Sequence, residues 1–363
     1  MFEPKYTPSS AIDFGLDQID LSRFRIERIL IMPKHEAWLR REAVVRSALY
    51  STMIENPSIT EDEVAGAVQA ATVESPASKR PDVANVESAL MWTDFVSDDP
   101  DVPIDERLIR NLNWLVMQGL PGAKNPGQYR SEPNWIEDRG TRVYESPYHG
   151  DVPHLMHEFS DWLKSDLELH PALRAGIAHV WLVAIHPFVD GNGRTARLLS
   201  TLVLQRHGFG FRKLLSLDAY YARNRDGYIE ALQGSLGPRF NPHADLTPWL
   251  EYFCRSITVQ ASMLEARLTD WRIIMDELHR SLWPLGLKDR QIDGLVYAMR
   301  MGYVTRKDYM AITGVSALTA TRDLAQLVEK GQLRAVGAGR NRRFIRVGPP
   351  RERQPEGQQD RLL

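Results

Sequence analysis

Twelve consecutive residues, His186-Pro187-Phe188-Val189-Asp190-Gly191-Asn192-Gly193-Arg194-Thr195-Ala196-Arg197, hold the densest concentration of reactive chemistry in the chain. His186 has an unperturbed pKa that lets it accept a proton from a hydroxyl near neutral pH. Pro187 cannot continue a helix, so the chain must turn there. Gly191, Asn192 and Gly193 permit a tight turn with inward-pointing amides, immediately before the N-terminus of a second helix. Unpaired N–H groups and the positive end of a helix dipole make such a terminus an anion site. Arg194 and Arg197, one turn apart, add guanidinium forks suited to phosphate oxygens. Asp190 is out of place in a plain anion cradle, but a carboxylate beside phosphates is a natural magnesium ligand. Taken singly, a histidine is usually structural, a GNG string a turn and a helical arginine solvated surface. Together they supply a base, a metal ligand, an anion cradle and two phosphate clamps. Phosphoryl or nucleotidyl transfer needs these parts, because its catalysis is mostly positioning and charge stabilisation.

Helices must position this loop. The apolar run Ile177, Val180, Trp181, Ala184 marks a buried helix before it, and Leu198, Leu199, Leu202, Val203 mark another after it. Apolar residues at helical spacing recur along the chain, which predicts a mainly α-helical fold. Helices are expected at about 36–55, 62–72, 83–97, 104–118, 151–168, 171–185, 193–207, 221–234 and 245–281. Residues 1–35 read as an irregular lead with β character around Phe24 to Met32. Gly127 to Pro147 lacks helical periodicity and carries two short extended pieces, Asn134-Trp135-Ile136 and Arg142-Val143-Tyr144, which predict a hairpin or flap.

After Trp283-Pro284-Leu285-Gly286 the pattern changes to short helices followed by Gly-punctuated basic sequence. Residues 305–312, the turn Thr313-Gly314-Val315 and a helix N-capped by Ser316 read as helix-turn-helix, with Ala320, Leu324, Leu327 and Val328 as the buried stripe. Two short strands around Gly337-Ala338-Gly339-Arg340-Asn341 form a β-wing, and the module resembles a winged-helix domain. Thr319, Arg322 and Gln326 are expected to face outward, with Arg340, Arg342 and Arg343 on the wing. Residues 285–347 carry a net charge of +7 while 1–284 carry −9. That asymmetry suits duplex DNA bound through 287–347, and protein docking or dimerisation is the competing use of such a module. The tail 348–363 is polar and expected to be disordered.

The whole chain, 363 residues with a formal charge of −2, gives no reason for overall attraction to nucleic acid or membrane. A single cysteine, Cys254, excludes an internal disulfide and lacks the spacing of a zinc site. No apolar stretch of membrane-spanning length and no signal-like N-terminus is present, so the expectation is a cytoplasmic protein with no membrane partner.

The string from His186 to Arg197 resembles, at every defined position, the signature of the Fic family, His-Pro-Phe-x-Asp/Glu-Gly-Asn-Gly-Arg-x-x-Arg. The resemblance implies an all-helical Fic core with a β-hairpin flap, followed here by the small winged helix-turn-helix domain. It implies protein adenylyltransferase activity, the transfer of AMP from ATP to a Ser, Thr or Tyr hydroxyl of a protein, including the enzyme itself. By position, His186 would be the base and Asp190 would hold Mg²⁺. The amides from Gly191 to Arg194 would form the anion hole, Asn192 would also contact the α-phosphate, and Arg194 and Arg197 would hold the β- and γ-phosphates. Phe188 would anchor the loop, and the flap, with Asn134, Trp135 and Ile136, would pair with the target as an added strand. Tyr228 matches an adenine-lining position, with Asn224 beside it. Ser51-Thr52-Met53-Ile54-Glu55-Asn56 resembles the family's inhibitory motif, in which the glutamate, here Glu55, pairs with Arg197 and displaces the γ-phosphate. The implied division is a lead at 1–35, an inhibitory helix region at 36–75, the Fic core at 76–284, the winged helix at 287–347 and the tail at 348–363. Two alternatives stay open: a DNA-binding regulator whose core senses nucleotide, and AMP removal or another nucleotide transfer. The oligomeric state is also open, a homodimer included.

Overall fold

The computed structural model describes residues 3–56, 58–70, 80–165, 168–339 and 342–347. The expected tail at 348–363 and wing residue Arg340 lie outside these. In chain order the elements are α1 (Ser10–Arg28), α2 (Pro33–Glu55), α3 (Glu61–Ala70), α4 (Pro81–Ser97), α5 (Glu106–Met117), β1 (Trp135–Asp138), β2 (Thr141–Glu145), α6 (Val152–Lys164), α7 (Pro171–Ile185), α8 (Asn192–Arg206), α9 (Leu217–Arg223), α10 (Arg225–Leu236), α11 (Thr247–Leu282), α12 (Asp289–Met301), α13 (Arg306–Thr313), α14 (Ala317–Glu329), β3 (Leu333–Val336) and β4 (Arg343–Arg346). The fold is mainly helical, and its strands form two separate two-stranded antiparallel sheets. The chain divides into two compact units, residues 1–272 and 273–363, with the division inside α11.

In the first unit α7 is the central element. Its residues from Ala172 to Ile185 are all buried, as a helix apolar on every side must be. The loop after it leads into α8, and the pair forms a helical hairpin; α4 and α5 pack on α8, and α2 lies against α4 and α9. The apolar core runs from Ile12 to Leu268 through all of these helices.

The N-terminal lead is helical, which corrects the expectation of an irregular segment with β character. Ser9 caps α1 by accepting from the amide of Ile12, and Ile12, Gly15, Ile19, Ser22 and Ile26 form its buried face. Gly15 is needed there because an added Cβ would come within 2.9 Å of the Cβ of Cys254. Around the expected strand Phe24–Met32, Ile26 faces the core from α1, while Ile29 and Ile31 follow the helix end and are half-buried. The single helix expected at 221–234 is two, α9 and α10, broken at Asn224 (φ −112°, ψ 42°).

The hairpin expected at 127–147 is β1–β2, with Trp135 opposite Glu145, Ile136 opposite Tyr144, and a bulge after Ile136. Tyr144 is buried and its hydroxyl donates to the Ala184 carbonyl at 2.8 Å, which pins the flap to α7 one turn before the reactive loop.

In the second unit α12, α13 and α14 are followed by the β3–β4 wing, and Val304 pairs with Phe344 of β4. Gly314, at φ 68°, ends α13 in the left-handed conformation that a helix stop favours. Ala320, Leu324 and Leu327 of α14 are buried as expected. Among them Asp323 is also buried, taking Arg290 Nε at 2.6 Å and the Tyr309 hydroxyl at 3.1 Å, so one carboxylate ties the three helices together.

Candidate active site

Pro187 stops α7, and His186 follows the last helical residue in the left-handed conformation, φ 49° and ψ 56°. This is uncommon for a non-glycine residue. The turn sets the imidazole against its own helix, with Nδ1 3.3 Å from the Val183 carbonyl. A carbonyl oxygen only accepts, so Nδ1 carries the proton and Nε2 keeps its lone pair. Burial pushes the imidazole pKa down to about 4, with the Arg130 guanidinium adding to the effect and the Val183 bond opposing it. At neutral pH the ring is therefore an uncharged proton acceptor.

The carbonyls of the loop are all occupied on one side. Those of His186 and Pro187 accept from Arg130, those of Phe188 and Val189 from the Asn134 side chain, and that of Asp190 from Asn113. Gly191 (φ 78°) accepts from Thr195, and a Cβ at Gly191 would come within 2.7 Å of Met117. The opposite side of the loop is left to its amides. Among the described residues, no acceptor meets the amides of Asn192, Gly193 and Arg194 in the first turn of α8. The first turn of α8 thus presents a row of donors that are unpaired among the described residues.

Phe188 is fully buried and anchors the loop. The Asn192 side chain is committed within the loop, accepting from the Phe188 amide at 3.0 Å and donating to its carbonyl at 2.9 Å. Its side chain therefore holds the turn, which leaves its backbone N–H for an anion. Asp190 is exposed; its Oδ1 takes the Gly191 amide and lies 3.8 Å from Arg194 Nη2. Arg194 is buried, with Nη2 on the Met117 sulfur at 3.1 Å and Nε without a partner. A buried guanidinium nitrogen with no acceptor is costly, and an anionic ligand would satisfy it.

Arg197 is almost completely enclosed. Its Nη2 donates to the Ser51 carbonyl and to Glu55 Oε1, each at 3.0 Å, and its Nε donates to the Ser51 hydroxyl at 3.0 Å. Its Nε also lies 3.1 Å from Asp218 Oδ1, an ion pair outside hydrogen-bond geometry. Glu55, the last residue of α2, is 43% exposed. Burial disfavours its charge, but Arg197, with Arg194 behind it, outweighs this and lowers its pKa. Asp218 behaves oppositely: burial raises its pKa, and Arg197 offsets only part of the rise.

The sequence reading did not identify Asp218, Arg130 or Asn113, because an acid, a base and an amide of ordinary spacing give no signal until the fold brings them to the loop. Two further expected residues lie on α10 and at the break before it, and the Tyr228 hydroxyl is within hydrogen-bond reach of Arg197. Tyr228, read as lining the adenine pocket, is 3% exposed, enclosed by Tyr221, Trp249 and Tyr252, with its hydroxyl 3.1 Å from His179 Nε2. Its ring belongs to an aromatic core because α10 turns that face inward. Asn224 is exposed at the α9–α10 break and contributes its carbonyl to the Tyr228 amide. In the flap, Asn134 contacts the loop directly, Trp135 is 43% exposed and Ile136 is half-buried. No group of three or more metal-binding side chains occurs among the described residues.

Residues 103–204 match the family described as Fic/DOC family, and residues 293–347 match the C-terminal domain described as transcriptional regulator DIP2311-like. A protein adenylyltransferase Fic of Nematostella vectensis is 29% identical over 249 residues, 66% of this chain and 53% of its own length. One from Drosophila willistoni is 52% identical over 79 residues, covering 20% of this chain and 16% of its own. The chain thus spans about half the length of the first of these relatives and less of the second. The crystal structure of a Fic family protein from Desulfovibrio desulfuricans G20 superposes with a TM-score of 0.61 at 25% identity, covering 96% of this chain and 99% of that one.

Proposed function

We propose that this chain, which carries a Fic/DOC-family domain over residues 103–204, transfers AMP from ATP to a hydroxyl side chain of a protein and is restrained by Glu55. The observation that carries this reading is a neutral His186, with Nε2 free to take a proton, beside the unpaired amides that open α8. In the proposed step the acceptor oxygen attacks the α-phosphorus as His186 Nε2 takes its proton. The bond from that phosphorus to the bridging oxygen breaks and pyrophosphate leaves. The amides of Asn192, Gly193 and Arg194 stabilise the charge on the non-bridging oxygens, and the unmet Nε of Arg194 suits a further phosphate oxygen.

Asp190 fits a magnesium role because it is an exposed carboxylate whose Oδ1 is held by the Gly191 amide at the mouth of the loop. Magnesium binds through few carboxylates together with phosphates and water, and when bound would neutralise phosphate charge. Glu55 occupies the guanidinium edge of Arg197 that a terminal phosphate would use. The second unit we assign to duplex DNA, on its winged-helix form and the regulator family it matches.

Incubation with α-labelled ATP and cell lysate tests the reading. The parent should label weakly, Glu55→Gly strongly, and His186→Ala should lose ~10²–10⁴-fold in rate. Excess EDTA and Asp190→Ala should each suppress labelling. Labelling by His186→Ala as fast as by its parent would remove the base assignment, and undiminished labelling in EDTA would remove the metal.

A further inference from the structure

Four consecutive carbonyls of the reactive loop accept from two residues of the segment that enters the flap. Arg130 donates from Nε to the His186 carbonyl at 2.8 Å and from its backbone amide to the Pro187 carbonyl at 2.9 Å. Asn134 Nδ2 lies 3.2 Å from both the Phe188 and the Val189 carbonyls. The remaining guanidinium nitrogens of Arg130 reach the two roots of the hairpin, Nη1 to the Glu132 carbonyl at 3.1 Å and Nη2 to the Pro147 carbonyl at 2.6 Å.

Arg130 is 4% exposed, and no carboxylate lies within ion-pair distance of it among the described residues. A charge buried with carbonyl dipoles alone is an expensive arrangement, and here it joins both flap roots to the backbone of His186. His186 needs outside support, because a non-glycine residue in the left-handed region is held only when its surroundings over-determine it.

We propose that Arg130 is a positioning residue that couples the flap to the base, so that a target chain seated on β1 is registered at the backbone of His186. Asn134 is the second tie, and it acts one turn of the loop further on. The assignment rests on the reading of His186 as base and β1–β2 as the target-binding flap. Arg130 itself touches neither nucleotide nor acceptor. It acts by fixing where the His186 ring stands relative to the hairpin. The anion cradle has its own supports in Asn113, Asn192 and Thr195, so ATP binding does not depend on Arg130.

The test uses the full chain carrying Glu55→Gly, with Arg130→Lys and Arg130→Gln added separately. Lysine keeps the charge but cannot bridge His186, Glu132 and Pro147 at once. Amide hydrogen exchange is measured on 135–145 and 186–189, and transfer kinetics on a labelled acceptor protein. In Arg130→Lys both segments should exchange faster together, and KM for the acceptor should rise by roughly tenfold or more, the scale of one lost hydrogen bond from a charged donor. KM for ATP should stay within about twofold. Asn134→Ala should loosen 188–189 while 186 keeps its protection. A general loss of stability would lower the active fraction without changing the acceptor KM, and that result overturns the proposal. Faster exchange in the flap with 186–189 unchanged overturns it as well. Should Arg130→Gln fail to fold, the lysine variant decides alone. If the Glu55→Gly parent transfers nothing, the function fails, while joint or separate exchange of the two segments still decides the coupling.

Discussion

Glu55 and Gly193 are in contact: a Cβ built on Gly193 would stand 2.7 Å from Glu55 Oε1 and 3.2 Å from Arg197 Nη1. The Glu55 carboxylate therefore lies beside the first turn of α8 as well as against Arg197. Its position is open only because residue 193 has no side chain.

That contact separates two variants which both disturb Glu55. Glu55→Gly vacates the space over α8 and frees one edge of Arg197. Labelling of the protein itself and of its target from α-labelled ATP should rise markedly, with a modest change in ATP dissociation constant. Gly193→Ala should also displace Glu55, since the far end of a flexible side chain moves cheaply, yet its methyl group then fills the space the nucleotide needs. Labelling by Gly193→Ala should stay at or below the parent, and adding Glu55→Gly should not rescue it. Rescue would mean that Gly193 serves the brake alone.

The pH dependence follows from the environment of His186. Its pKa is lowered to about 4, so the folded protein holds the ring neutral where an exposed histidine is charged. In the Glu55→Gly protein the acid limb of kcat should fall as pH drops through about 4, well below an ordinary histidine value, because removing Glu55 takes away a charge that favours the imidazolium. The unfolded chain binds this proton below about pH 6.5. The contribution of His186 to stability should therefore fall as pH drops from about 6.5 towards 4, and flatten below that. The buried His179, lowered further, acts in the same direction. An acid limb centred near 6.5 would place the working ring in water.

Arg197 has two carboxylate neighbours, Glu55 at 3.0 Å and the buried Asp218 at 3.1 Å. Removing one leaves the charge compensated by the other; removing both leaves a buried guanidinium facing only neutral oxygens, those of Ser51 and the Tyr228 hydroxyl, among the described residues. Asp218→Asn should therefore destabilise the Glu55→Gly protein more than the parent, with a coupling of about 0.5–3 kcal/mol in a double-mutant cycle read by urea unfolding. Additive losses would show that the two acids act on Arg197 independently.

What the sequence makes legible is what it writes in consecutive residues. The loop from His186 to Arg197 is a local turn between two apolar helices, so its histidine and its amides follow from spacing, while the anchoring of Phe188 follows from the resemblance. Glu55 was found only through a family resemblance, since 142 residues separate it from Arg197. Arg130, Asn113 and Asp218 become partners of the loop only through packing, and their residue types give no hint of it. Helical periodicity marks the Tyr228 ring as facing inward, but it does not show that the ring packs among Tyr221, Trp249 and Tyr252 with its hydroxyl beside Arg197. The α1 helix is hard to read because its buried stripe, Ile12, Gly15, Ile19, Ser22 and Ile26, mixes glycine and serine with the isoleucines and so weakens the apolar period.

The second unit carries the last prediction, and the structure adjusts which residues make it. Thr319 was expected to face outward, but it is half-buried and its hydroxyl meets Ser316, which caps α14. The exposed residues of α14 are Ala317, Leu318, Thr321, Arg322, Ala325, Gln326 and Glu329. A helix of this kind enters a major groove with its N-terminal half, which here presents Leu318, Thr321 and Arg322. On the wing, Arg342 and Arg343 are exposed, the first over the Phe344 ring and the second over Tyr303, so their planes are held rather than free. Phosphate contacts release counterions, and binding of the full chain to duplex DNA should weaken steeply with salt. Arg342→Ala should reduce the salt slope by about one contact and weaken all sequences alike, as a backbone contact does. Arg322→Ala should cost about 1–3 kcal/mol on a selected site and little on random duplex, as a base contact does. Asp323→Asn should lower the melting temperature of this unit, since that carboxylate joins α12, α13 and α14, and DNA binding should fall with it. A gel-shift series on a broad duplex library at low salt reads all three. No retained duplex at any sequence, with the unit folded by circular dichroism, would reassign α14 and the wing to docking a protein.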